Sequence, residues 1–336
     1  MSPSESDSQE LTMAVLGCGT MGISILSGIL TSLQDSLESR ASSGTSTPLS
    51  NEDLPSRLPS RFIACVRRPE SAEKVKSALG HFPAVKIVQN QNVPSVQQSQ
   101  VVILACKPSM VPEVLNEEGM REALKGKLLI SILAGVSVQQ IEDTLYPRLT
   151  YADQLAGEKQ LDVECTIVRA MPNTASLVGA SMTVINTKTP PLDPQTSDLV
   201  SWIFRRIGDV VYLPPSTMDA ATALCGSGPA FFALMLEAAI DGAVAMGLPR
   251  AEAQRMAAQT MRGTAELVLN GDHPALLKDK VSTPGGCTIG GLLVLEEGRV
   301  RGAVARAVRE ATVVASQLGK GVPGVNGTRF GNGQFQ

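Results

Sequence analysis

Only two histidines, and six cysteines with no C-x-x-C pair, stand in this chain of 336 residues. Cys18, Cys65, Cys106, Cys165, Cys225 and Cys287 are scattered, so neither a zinc site nor a disulfide framework is expected, and a reduced compartment is the default. Aromatic residues make up 3% of the chain, too few for a platform on which bases stack. Neither sign of charge dominates: 29 Lys and Arg face 32 Asp and Glu, a formal net charge of -3. That leaves no basic field to neutralise phosphates along a duplex or an anionic bilayer, so nucleic acid and membrane surfaces are not expected partners. The sequence lacks a run of about eighteen apolar residues, so no membrane span is expected. Met1 to Glu10 is Ser-rich and acidic, without a basic segment or an apolar core, and a cytoplasmic location is expected.

What is present is apolar surface. Hydrophobic residues are 43% and charged residues 18%, enough to build packed interiors. At about 100 to 200 residues per domain the length predicts two domains. After a tail from Met1 to Glu10, a strand at Leu11–Leu16 runs into Gly17-Cys18-Gly19-Thr20-Met21-Gly22 and a helix to Leu33. Gln34 to Ser60 turns to Ser, Thr, Pro and acidic residues without apolar periodicity and is expected to be an inserted loop. Apolar runs at Phe62–Val66, Val101–Ala105 and Leu128–Leu133 suit strands buried on both faces. Shorter strands are expected at Thr166–Ala170, Ser181–Ile185 and Val210–Leu213.

Helical periodicity then takes over. Helices are expected from Pro229 to Met246, from Pro249 to Leu269 and, as one long element, from Thr288 to Leu318, with Gly247 and Asn270-Gly271 as stops. The predicted fold is therefore an α/β Rossmann-type dinucleotide-binding domain, Leu11 to Pro214, followed by an all-α domain, Pro215 to Lys320, and a tail from Gly321 to Gln336.

Between a strand and a helix, G-x-G-x-x-G brings backbone close to a pyrophosphate, which the helix N-terminus then stabilises. Gly17, Gly19 and Gly22 fill the three places, with Thr20 and Met21 between them; the same spacing alone is also an ordinary turn. An NAD site usually ends its second strand with a carboxylate for the ribose 2′-hydroxyl. Here FIACV is followed by Arg67 and Arg68, with no carboxylate before Glu70. Paired guanidiniums favour the 2′-phosphate of NADPH, with NADH as a second possibility, although two adjacent arginines also suit a solvated turn.

Four further segments carry a more specific signal: VILACKP at Val102–Pro108, VRAMPNT at Val168–Thr174, DAATALCGSGPAFF at Asp219–Phe232 and VSTPGGCTIGGL at Val281–Leu292. In kind, order and spacing they resemble the pyrroline-5-carboxylate reductase family, from about Leu11 to Leu318. The resemblance implies reduction of a cyclic imine to proline, the last step of proline biosynthesis. It places the cofactor against Ala105, Lys107 and Pro108 and near Asn173. It sets the substrate against Val281, Thr283, Gly285, Gly286, Cys287 and Thr288, and implies a homodimer at least, built through the helical domain. Thr288 is the candidate to hydrogen-bond the substrate and help supply the imine proton. Cys225, Phe231 and Cys287 depart from the usual family residues.

On physical grounds a Pro-Gly-Gly turn opening a helix offers bare amides and a positive dipole end to a small carboxylate. The plain alternative is a cap joining two helices, with Thr288 near the N-cap. Two competing functions remain at this stage. A 3-hydroxyacid dehydrogenase type, or another NADP-dependent hydroxyacid or imine reductase, shares the glycine loop, but the former uses a helix lysine and Pro229 to Met246 contains none. A non-catalytic dinucleotide-sensing protein would keep the fold alone.

Overall fold

The computed structural model describes residues 10–42, 55–147 and 164–320, together with Val322 and Thr328. Most of the two expected tails, and residues 43–54 of the expected insertion, lie outside the described residues.

An eight-stranded sheet in the order β3-β2-β1-β4-β5-β6-β7-β8 forms the first part. Its strands are β1 (Leu11–Leu16), β2 (Pro59–Val66), β3 (Val85–Gln89), β4 (Val101–Leu104), β5 (Leu128–Ser131), β6 (Thr166–Met171), β7 (Ser181–Asn186) and β8 (Gly208–Leu213). Neighbours from β3 through β6 run parallel; β7 pairs antiparallel with β6, and β8 runs parallel with β7. β1 lies between β2 and β4, so the chain order reverses at β1, and the carboxyl ends of β1 and β4 flank the crevice where doubly wound sheets bind ligands.

Continuous apolar strands form here because both faces are covered. Met13 and Val15 enter one core with Ile25, Ile29, Trp202 and Phe204, whereas Ala14 and Leu16 enter the opposite core with Met120 and Leu124. That alternation is the two-residue period of a strand made visible. Helix α1 (Thr20–Ser42) supplies Ile25, Leu26, Ile29 and Leu30 to the first core, at the spacing of one helix face. Further helices are α2 (Pro69–Leu79), α3 (Asn92–Gln97), α4 (Val111–Leu115), α5 (Met120–Leu124), α6 (Val138–Leu145), α7 (Pro194–Arg205) and α8 (Met218–Ala221).

The helical part comprises α9 (Gly228–Ala245), α10 (Arg250–Leu269), α11 (Pro274–Val281), α12 (Cys287–Glu297) and α13 (Val300–Gly319). Contacts divide the chain into a unit running to Gly226, joined by the end of α13 from Val314, and a unit spanning Ser227–Val313. The contact division falls after Gly226 because Met218 and Ala221 of α8 bury against Met171 and Val184 of the sheet.

Two expectations need correction. The span Gln34 to Ser60 is not all loop: α1 continues to Ser42, with Gln34 Nε2 donating to Glu38 Oε1 at 3.0 Å one turn on, and β2 begins at Pro59. The single helix from Thr288 to Leu318 is two, α12 and α13, parted at Gly298-Arg299, where Arg299 has φ 55°. By length and composition Pro215–Ala245 is apolar enough to cross a membrane, a stretch that includes Asp219, Glu237 and Asp241.

Candidate active site

The loop after β1 turns on Gly17, whose φ of 76° is left-handed and whose added Cβ would lie 2.6 Å from the Cys106 Cα behind it. Its amide and that of Cys18 donate to the Cys65 carbonyl at 3.1 and 2.9 Å, tying the loop to the end of β2. Gly22 serves packing: a Cβ there would lie 2.9 Å from Val15 Cγ1, so the third glycine lets α1 sit close on its strand. Gly19 is exposed and meets nothing nearer than 3.9 Å, and no acidic residue stands in the first turn of α1. The first-turn amides of Thr20, Met21 and Gly22 have no helical carbonyl to bond, and with an open approach over Gly19 they fit a phosphate.

Around this loop the Cys18, Cys65 and Cys106 side chains are buried. Burial pushes their thiols up, to about 12 for Cys18 and about 11 for Cys65 and Cys106, so they stay protonated and are not nucleophiles.

Beside them opens a cavity of about 240 Å3, lined by Gly17, Cys65, Arg67, Asn90, Asn92 and Glu113 among others. Arg67 Nη1 donates to Glu113 Oε1 and Oε2 at 3.0 and 3.2 Å. Arg67 lines the cavity, and Arg68 is the extended N-cap residue of α2, its carbonyl accepting from the Ser71 and Ala72 amides at 3.1 Å. Ala105, whose amide donates to the Leu16 carbonyl at 2.9 Å, continues β4 alongside the glycine loop, and Lys107 is exposed before the short 3-10 turn that Pro108 opens.

Asn173 follows β6. Its Oδ1 accepts from the Ala175 amide at 3.0 Å, and its own amide donates to Ser181 Oγ at 3.0 Å, which fixes the M-P-N-T turn. Ser176 Oγ lies 3.8 Å from Met21 Sδ, joining that turn to the start of α1. Arg169, buried on β6 just before the turn, has Nε and Nη2 without a protein partner. Burial pulls its pKa down and the Asp219 carboxylate pulls it back up.

In the helical unit Thr283-Pro284-Gly285-Gly286 forms a tight turn. The Gly286 amide donates to the Thr283 carbonyl at 3.0 Å, Pro284 stands at the second position and Gly285 at the third with φ 67°, the arrangement of a type II turn. A Cβ on Gly286 would collide with Thr283 Oγ1. Gly286 is the N-cap of α12, which has no acidic residue in its first turn, so the Cys287, Thr288 and Ile289 amides face outward without a carboxylate to satisfy them. Val281, 60% exposed, ends α11 at the other side of the turn, and Thr288 is half-buried. Both glycines are therefore needed by the turn, one for its backbone angle and one for its closeness, and the result is a bare helix N-terminus suited to a small carboxylate.

The pyrroline-5-carboxylate reductase dimerisation profile matches residues 215–318, and the profile of NADP oxidoreductase, coenzyme F420-dependent, matches residues 12–135. A pyrroline-5-carboxylate reductase of Lophium arboricola is 64% identical over 331 residues, covering 98% of this chain and 100% of its own length. The chain belongs to the pyrroline-5-carboxylate reductase family. A pyrroline-5-carboxylate reductase of Neurospora crassa is 56% identical, covering 97% of this chain and 99% of its own. The crystal structure of Plasmodium falciparum pyrroline carboxylate reductase with NADP bound superposes with TM-score 0.70 at 25% identity, over 93% of this chain and 99% of that one.

Sequence reasoning missed several lining residues that the reductase fold brings together. Asn90, Asn92, Glu113 and Glu117 reach the same cavity from the end of β3, α3, α4 and the segment after α4. Asn92 Nδ2 donates to Glu117 Oε2 at 3.0 Å. No motif spacing links them to Arg67; the only signal was their place after strands whose order in the sheet is not written in the sequence.

Proposed function

We infer that this chain uses NADPH to reduce the ring imine of pyrroline-5-carboxylate to proline, the last step of proline biosynthesis, as a homo-oligomer in the cytoplasm. Family membership along the whole length of the chain carries the reading. When bound, NADPH supplies the hydride that adds to the imine carbon, while the ring nitrogen takes a proton and NADP+ is released.

The chain's own residues orient and bind. The amides of Thr20, Met21 and Gly22 hold the diphosphate, and Arg67 at the mouth of the cavity receives the 2′-phosphate through charge-assisted bonds. Asn173 is held in the turn beside Met21, at the place the family assigns to the nicotinamide. At the Pro-Gly-Gly turn, the Cys287, Thr288 and Ile289 amides take the substrate carboxylate, and the Thr288 hydroxyl hydrogen-bonds the ring nitrogen or its proton source. Orientation rather than a strong acid is the main contribution, because the buried thiols hold their protons too tightly to donate them.

The homo-oligomer is supported by the apolar surface of α9 to α12, among whose residues only Gly228, Ile240 and Ala253 are buried. A second copy covering those faces also accounts for the hydropathy of Pro215–Ala245 without a bilayer. The cysteines are all free, as a reducing cytoplasm would keep them.

The test is substrate-dependent loss of NADPH absorbance with pyrroline-5-carboxylate, with proline identified as product. Thr288→Ala should lower kcat by about tenfold to a hundredfold while the NADPH Kd is unchanged. No turnover by the wild-type protein, despite NADPH binding, would leave a dinucleotide-binding protein without this reaction.

A further inference from the structure

We propose that Glu113 is a specificity-determining residue that holds the cofactor pocket between NADPH and NADH, by competing with the 2′-phosphate for Arg67. The inference rests on the reading that this cavity takes the adenosine end of a nicotinamide dinucleotide.

The geometry has three parts. Arg67 offers Nη1 to both oxygens of Glu113, at 3.0 and 3.2 Å, across a cavity that both residues line. Glu113 is set there by its helix: Val111, Val114 and Leu115 of α4 are buried, which leaves the Glu113 side chain to face outward beside Arg67. A second carboxylate, Glu117, lines the same cavity, its Oε2 already engaged by Asn92. The cavity thus holds one guanidinium and two carboxylates.

The Arg67–Glu113 pair is weak enough to exchange. Its side chains are 47% and 60% exposed, and exposed pairs contribute little net stability because water and salt screen them. A dianionic 2′-phosphate therefore takes Arg67 from Glu113, forming shorter and stronger charge-assisted bonds. The displaced carboxylate remains nearby and repels the phosphate, which lowers the gain. A 2′-hydroxyl has the opposite preference: it donates to the Glu113 carboxylate and leaves the ion pair intact, the same chemistry that a carboxylate after the second strand provides in NAD-binding sites. The acidic residue that the sequence lacks at the end of β2 is in effect supplied from α4. The pocket favours NADPH through Arg67 and tolerates NADH through Glu113.

Nicotinamide fluorescence titrations of the full-length protein test this without relying on turnover. For wild type, Glu113→Gln and Arg67→Ala, the Kd of NADPH and of NADH are measured at low and high salt. Glu113→Gln is expected to tighten NADPH by about three- to fivefold and to weaken NADH, raising the NADPH-over-NADH ratio, with the difference shrinking at high salt. Arg67→Ala is expected to weaken NADPH and to lower the ratio. A Glu113→Gln ratio equal to wild type, with Arg67→Ala still lowering it, makes Glu113 a bystander and overturns the proposal. An unchanged ratio in both variants overturns it by removing the phosphate from this cavity. Binding of neither nucleotide by the wild-type protein would sink the dinucleotide reading itself. Circular dichroism of each variant keeps a folding defect from being mistaken for any of these.

Discussion

At the scale of single residues, the glycine loop shows how little of a site's chemistry lies in its motif. Gly17 and Gly22 are demanded by the backbone of Cys106 and the side chain of Val15, contacts within the protein, and only Gly19 is left open toward a ligand. The thiols packed around that loop make a prediction about pH. Burial raises Cys18 from 9.0 to about 12, and Cys65 and Cys106 from 9.0 to about 11. In the unfolded chain these thiols ionise near their ordinary value, whereas the folded protein retains their protons. Below that value both states are protonated and the stabilisation is fully present; above it the unfolded state loses protons first, so stability falls with rising pH until the folded thiols also ionise. A tenfold difference in proton affinity between the folded and unfolded states corresponds to about 1.4 kcal/mol per thiol. Urea denaturation is expected to give a midpoint that declines from pH 9 to 11, and Cys18→Ala should decline less steeply over the same range. Parallel slopes for the two proteins would show that this thiol is not what couples the loop to pH. The motif residues were legible because glycine has a physical signature, but Glu113 was not: it meets Arg67 across 46 residues of sequence, and only the sheet order brings them together.

At the scale of elements, legibility followed burial. β1, β4 and β5 were evident because every residue in them is buried, which writes a continuous apolar run. β3 escaped notice because it is the sheet's edge, pairing only with β2, and its VKIVQ sequence keeps Lys86 and Gln89 exposed. The part of α1 from Gln34 onward was hidden for the converse reason: Gln34, Asp35, Ser36 and Glu38 are polar and exposed, so they interrupt any apolar stripe. The break between α12 and α13 was missed because it rests on one backbone angle. Gly298 closes α12 with a right-handed φ of -69°, and it is Arg299, with φ 55°, that takes the left-handed position where glycine usually stands. Arg299→Gly removes the Cβ penalty at that position and should stabilise the protein by about 0.5–1 kcal/mol, read as a higher urea midpoint at unchanged slope. A lower midpoint would mean that the arginine side chain contributes more than its backbone strain costs.

At the scale of the whole molecule, the two units differ in how they are stabilised. The sheet unit has two cores, one on each face, and its largest side chains, such as Phe62, Phe204, Met13 and Met120, are fully buried. The helical unit has almost none of this. Phe232 and Leu295 are 50% exposed, Leu293 58%, and Leu234 and Val294 65%. Fully burying one such side chain is worth about 1.5–3 kcal/mol, so a helical unit that leaves them in water forgoes most of what holds a domain together. If a second copy supplies the missing core, a charge placed on this surface should act on assembly before it acts on the sheet unit. Leu293→Glu puts a carboxylate on α12 where an interface would have to desolvate it, at a cost of several kcal/mol unless it is paired. Sedimentation should then show a shift from oligomer to monomer. Proline formation should fall by more than tenfold, and the helical signal in circular dichroism should drop. Binding of NADPH to the sheet unit should persist within about threefold, because the glycine loop and Arg67 belong to that unit, which has cores of its own. An oligomer that survives Leu293→Glu with unchanged sedimentation would place this face of α12 outside the interface, and Leu234→Glu on α9 would then test the neighbouring face. A monomer that retained full turnover would separate assembly from catalysis and remove the need for a partner in holding the Pro-Gly-Gly turn that opens α12.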